Sequence, residues 1–107
     1  MRKIEKEMIA AIRNRESWAG KNTTVNVSEH TTCVYLHGHK IATYWHETQC
    51  LEMSMCGWPT VTTRSRLNAI CDAFRTRGHF YQCDHVQHFD AMVYHPDTTV
   101  TVRQVKP

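Results

Sequence analysis

Cys56-Gly57-Trp58-Pro59-Thr60-Val61-Thr62-Thr63-Arg64-Ser65-Arg66-Leu67-Asn68-Ala69-Ile70 joins a strand exit, a stiff turn and a basic, hydroxyl-rich helix start. Gly57 and Pro59 interrupt the extended pattern before them, because glycine admits positive φ and proline fixes its own. Thr62 or Thr63 is placed to cap a helix, and Leu67, Ile70, Cys71 and Phe74 fall at i, i+3, i+4 and i+7 on one apolar stripe. Arg75 and Arg77 suit the negative C-terminal end and Gly78 is a natural stop, so the spacing predicts a helix over about 63–77.

Upstream of the corner the period is two. Leu51, Met53 and Met55 face one way while Cys50, Glu52 and Ser54 face the other. Before them, Ile41, Thr43 and Trp45 alternate with Ala42, Tyr44 and His46, and Thr32, Val34 and Leu36 alternate with Cys33, Tyr35 and His37. His37-Gly38-His39-Lys40 reads as a hairpin turn, and a second turn falls near His46–Gln49. Val25 and Val27 begin this run, which predicts an antiparallel meander with one buried face.

The first 18 residues are helical in period: Met1, Ile4, Met8, Ala11 and Ile12 share a stripe, Ile9 lies beside it, and Gly20 is the expected stop. The other face of this helix carries Arg2, Lys3, Lys6, Arg13 and Arg15. Downstream, short strands are expected at His79–Cys83 and Val86–Phe89 around a Cys83-Asp84-His85 turn. A further pair, Ala91–Tyr94 and Thr98–Val102, is expected around His95-Pro96-Asp97, and the tail Arg103–Pro107 should fray. The prediction is one α+β domain over 1–107: an antiparallel meander packed with two helices, at about 1–18 and 63–77.

A chain of 107 residues has room for one core. It has no apolar run near the roughly 20 residues that span a bilayer, and charges interrupt the apolar residues of the N-terminus. Five cysteines without close paired spacing point to reduced thiols rather than a disulfide scaffold, so a soluble, intracellular protein is expected. The net charge of +3 is unevenly spread. Residues 1–21 hold six Lys/Arg against three Glu, and residues 61–77 hold four Arg against Asp72, while the segments between and after them are mildly acidic. Both helix candidates are therefore basic, which suits an acidic protein or a nucleic acid as partner.

Chemistry is sparse. At the corner, Thr62, Thr63, Arg64 and Arg66 surround a helix start where free N–H groups favour an anion, and Trp58 offers a stacking surface if exposed, as does Tyr44. Arginines in a first turn oppose the helix dipole by about 0.3–1 kcal/mol each, which argues for a bound anion or an acid from across the sheet. The eight histidines lack the tight His/Cys pairs of a structural zinc site, and His37 and His39 could meet on a metal only with help from another element. No nucleophile signature, paired-acid motif or phosphate-binding glycine loop is present. No enzyme activity, metal or cofactor is expected.

Asn22-Thr23-Thr24-Val25, Val34 to Ala42, and Leu51 to Met55 leading into Gly57-Trp58-Pro59-Thr60-Val61-Thr62-Thr63-Arg64-Ser65-Arg66-Leu67-Asn68-Ala69 resemble small proteins of tailed bacteriophages. The resemblance covers roughly residues 22–89 and leaves the first helix as an appended interaction element. It implies a phage-encoded accessory protein of the host cytoplasm. The expected role is to bind and modulate or inhibit a host factor, in a defence system or nucleic-acid machinery. The alternative is a nucleic-acid-binding module using the Arg64/Arg66 helix start. Edge strands of the meander offer a homodimer contact.

Overall fold

A computed structural model describes residues 1–107. Helix α1 spans Lys3–Asn14, and the backbone N–H of Arg2 donates to Glu5 Oε1 at 3.3 Å at its start. It ends four residues before the predicted end near residue 18. Arg15 adopts a left-handed conformation (φ 50°, ψ 51°), its N–H donates to Ile12 O, and Glu16 N–H donates to Ala11 O. This paired bonding closes a helix end, usually around glycine. Trp18, expected inside the helix, begins strand β1 (Trp18–Ala19) instead.

The meander follows as β2 (Thr23–Val27), β3 (Thr31–Leu36), β4 (His39–Trp45) and β5 (Cys50–Met53), each antiparallel to its neighbour. His37 (φ 50°) and Gly38 (φ 81°) turn β3 into β4, the two positive φ values that a tight hairpin requires. A register shift at Val34/Tyr35 leaves Ile41 as an extra residue on β4, with both Ile41 and Ala42 buried. Val25, Val34, Leu36, Ala42, Tyr44, Leu51 and Met53 form the buried face. The opposite face, with Cys33, Thr43, Trp45 and Glu52, is polar and partly open.

Helix α2 spans Val61–Phe74 and starts two residues before the predicted position, because Thr60, not Thr62 or Thr63, is the cap. Thr63 N–H donates to Thr60 Oγ1 at 3.1 Å. Its end repeats that of α1: Arg75 is left-handed (φ 56°), with Arg75 N–H on Asp72 O and Thr76 N–H on Cys71 O. Gly20 and Gly78 are therefore not helix stops. They sit at close approaches, where an added Cβ would meet the Trp18 ring at 2.7 Å and the Phe89 ring at 2.7 Å respectively.

The C-terminal strands divide. Strands β6 (Phe80–Cys83), β7 (Val86–Phe89) and β8 (Met92–Val93) form a separate three-stranded sheet. Strand β9 (Val100–Val102) pairs with β5, giving the large sheet the order β1-β2-β3-β4-β5-β9. The predicted pairing of Ala91–Tyr94 with Thr98–Val102 is replaced by this split, and Tyr94 enforces it. Its hydroxyl accepts from Met55 N–H at 2.9 Å and donates to Thr98 O at 2.7 Å, while its ring packs on Phe80 at 5.2 Å. Nor is the tail loose: Tyr44 Oη donates to Val105 O at 2.7 Å and Val105 N–H to Gln49 O at 3.1 Å. One core of 21 buried residues joins both helices, the large sheet, Phe80 and Tyr94.

Candidate functional site

Three places draw together the residues that the sequence singles out: a polar network under the two helices, a pocket at the strand-to-helix corner, and the outer face of α1.

The network centres on Arg66, which is 3% exposed. Its Nη1 donates to Glu5 Oε2 at 2.8 Å, its Nε to Thr23 Oγ1 at 2.9 Å and its Nη2 to Asn22 Oδ1 at 3.3 Å. Ser65 Oγ also donates to Glu5 Oε2, and no buried side-chain polar atom in the chain lacks a partner. The guanidinium is thus consumed in joining α1, α2 and β2, so Arg66 is not available to an outside anion. Its acid, Glu5, comes from the other helix rather than from across the sheet.

Arg64 is also engaged, by neutral acceptors. Its Nη1 donates to Pro59 O and Gln87 Oε1 at 3.0 Å each and lies 3.2 Å from Gln82 Oε1, which tethers the start of α2 to the small sheet. Because α2 begins at Val61, Arg64 and Arg66 occupy its fourth and sixth positions, beyond the first three. The dipole conflict is correspondingly weaker, since that effect fades beyond the first turn. Thr63 is buried and its hydroxyl is 2.9 Å from that of Thr60.

At the corner itself, Cys56 (φ 54°) and Gly57 (φ 80°) form a tight turn closed by Trp58 N–H on Met55 O at 3.0 Å. The turn is pinned by Gly57 N–H on Pro96 O at 2.8 Å. Trp58 is left 55% exposed, its ring 5.7 Å from that of His39, whereas Tyr44 is buried. Trp58 and His39 border a pocket of about 400 Å³, lined also by Leu36, His37, Ile41, Met55, Thr60, Thr62 and Thr63. The sequence marks Trp58, Thr62 and Thr63 as site candidates. It gives no sign that the β3–β4 turn would face them, since that proximity is made by the fold. No group of three or more His, Cys, Asp or Glu is arranged to hold a metal ion.

The outer face of α1 presents Arg2, Lys3, Lys6 and Arg13, all exposed, with Arg15 exposed at its end. Arg66 is the only Lys or Arg of the chain in an ion pair, so none of these five has a carboxylate partner. A groove of about 240 Å³ between the helices is lined by Met1, Lys6, Ile9, Ala10 and Arg13, and by Asp72 and Ala73 of α2. Asp72 Oδ1 is itself 2.8 Å from His79 Nε2. The cations beside this groove therefore come from α1, while α2 contributes Asp72. Cys71, on the inner side of α2, is fully buried, and burial pushes its thiol up to about 11. That excludes it as a thiolate nucleophile near neutral pH.

The arrangement defines a small α+β protein with a basic helical layer and a separate corner pocket, and no helix is long and apolar enough to cross a membrane. The chain belongs to the Kyanoviridae Gp96 protein family, a phage family whose model matches residues 1–103. The matched range includes α1. No curated protein and no solved structure matches the chain.

Proposed function

We propose that this chain is a non-enzymatic accessory protein of the phage. It acts in the host cytoplasm by binding, and so modulating or inhibiting, a host factor that presents an acidic surface, such as a component of a defence system or of nucleic-acid machinery. The observation that supports this reading is the set of unpartnered cations Arg2, Lys3, Lys6 and Arg13 along α1, beside the groove shared with α2. The potential of such a layer favours encounter with a complementary acidic surface.

The test is affinity capture from host lysate, with and without nuclease treatment, with the unmodified chain and with a Lys3→Glu/Lys6→Glu/Arg13→Glu variant compared side by side. One host protein retained by the first and absent from the second is the expected result. Equal retention by both overturns the role of α1. Retention that vanishes on nuclease treatment moves the partner to nucleic acid, the second reading, for which affinity should fall steeply with salt.

A further inference from the structure

We infer that the corner pocket binds a planar, uncharged heteroaromatic ring of nucleobase type. Its volume of about 400 Å³ lies within the roughly 300–1,000 Å³ of small-molecule sites. Leu36, Ile41 and Met55, at most 4% exposed, supply apolar lining. Trp58 adds a ring that is largely solvent-exposed yet held on a turn pinned at both Trp58 N–H and Gly57 N–H, with Pro59 stiffening the exit. A rigid exposed indole loses little freedom when another ring stacks on it.

Two further observations narrow the ligand class. No Lys, Arg, Asp or Glu lines the pocket, so a formal charge placed inside would meet no fixed counter-charge. At the same time, the rings of His37 and His39, the Thr62 hydroxyl and the Trp58 indole N–H make no hydrogen bond within the chain, in contrast to the mutually bonded Thr60 and Thr63. Apolar walls beside unused donors and acceptors match a ring carrying its own nitrogens and exocyclic groups. A phenyl side chain inserted from a partner protein would use the walls and leave those polar groups unmatched. The ring could belong to a free nucleoside or nucleotide, or to a base of a single strand. Neither Arg2, Lys3, Lys6 nor Arg13 lines the pocket, so this inference stands apart from the role of α1.

The experiment is an NMR titration of the intact chain with the common nucleosides, with short single-stranded oligonucleotides, and with N-acetyltryptophanamide as the protein-side-chain probe. Trp58→Phe identifies the indole signal among those of the three tryptophans. The expected result is saturable shifts at Trp58, His37 and His39 with at least one nucleoside. Affinity should be reduced about tenfold or more by Trp58→Ala, less by Trp58→Phe, and by different factors among the bases by Thr62→Val. Tighter binding of an oligonucleotide than of its nucleoside supports the inference with a strand as the source, and equal binding supports it with the free compound. The inference is overturned if no nucleoside gives saturable shifts at millimolar concentration, if Trp58→Ala with an unchanged melting profile binds as well, or if N-acetyltryptophanamide outcompetes every nucleoside.

Discussion

On the inner side of the helical layer, Glu5 and Arg66 are each 3% exposed, bonded to one another and to Thr23, Asn22 and Ser65. On its outer side, Lys3, Lys6 and Arg13 stand in solvent with no carboxylate partner. The same helix thus carries charge in two conditions. The inner charges are desolvated, and that cost is offset only if the buried nitrogens and oxygens find partners, as each does here. The outer charges remain hydrated and add little to the fold, so their concentration on one layer is free to serve recognition. Inner substitutions should therefore change stability, and outer ones should change binding.

The largest loss of stability should follow Arg66→Ala. It leaves the Glu5 carboxylate buried without its cation and removes the donors that hold Thr23 and Asn22, so unfolding free energy should fall by about 3–5 kcal/mol in urea titrations. Glu5→Ala should cost a similar amount, because it strands the guanidinium. A double replacement, Glu5→Met with Arg66→Met, should recover much of the loss, since two apolar side chains leave no charge uncompensated. A loss below about 1 kcal/mol for either single variant would mean that water already reaches the pair, and the inner side would then differ from the outer only in degree.

The next effect is set by Cys71, which faces the core from α2. Its thiol ionises near 9.0 in the ordinary state and is pushed up to about 11 in the folded chain, chiefly by burial, with the nearby Asp72 charge adding to the rise. The fold favours the protonated form. Its stabilising contribution is therefore whole below pH 9, declines as pH rises from 9 to 11, and is absent above that window, amounting to roughly 2–3 kcal/mol. Burial raises the Tyr44 hydroxyl too, so it adds to the decline above pH 10. Urea midpoints taken across this range should fall more steeply for the unmodified chain than for Cys71→Ala. Identical slopes would show the thiol to be hydrated and the inner side of α2 to be open.

Much of this layer could be read from sequence where the determining contacts are local. The stripe Leu67, Ile70, Cys71, Phe74 predicts the buried face of α2, the alternation Leu51, Met53, Met55 predicts the strand before it, and His37-Gly38 predicts the hairpin. What escaped the sequence depends on distant partners or on unusual local conformations. Glu5 and Arg66 lie 61 residues apart, and nothing near either one says that it is buried. Arg15 and Arg75 end their helices left-handed, a role that side chains with a Cβ seldom fill, so the nearby glycines misled. The split of the C-terminal strands turns on the Tyr94 hydroxyl, whose partners Met55 and Thr98 belong to different segments. The corner pocket was visible only by halves, because Trp58 and the β3–β4 turn meet through the packing of α2 on the sheet.

The smallest expected effect is on the outer side, and it discriminates most finely. Lys3→Glu/Lys6→Glu/Arg13→Glu reverses three exposed charges, and each change taken alone should alter stability by no more than about 0.5 kcal/mol. The helix dipole makes the sum smaller still. A glutamate at position 3 suits the N-terminal end of α1, while one at position 13 opposes the C-terminal end, where Arg13 now sits in the last turn. Lys3→Glu also places a like charge four residues before Glu7, which offsets part of the gain by about 0.2–0.5 kcal/mol. The triple variant should therefore unfold within about 1 kcal/mol of the unmodified chain while losing its acidic partner. If it lost more than about 2 kcal/mol, the outer cations would be supporting the fold, and a loss of binding could no longer be ascribed to recognition.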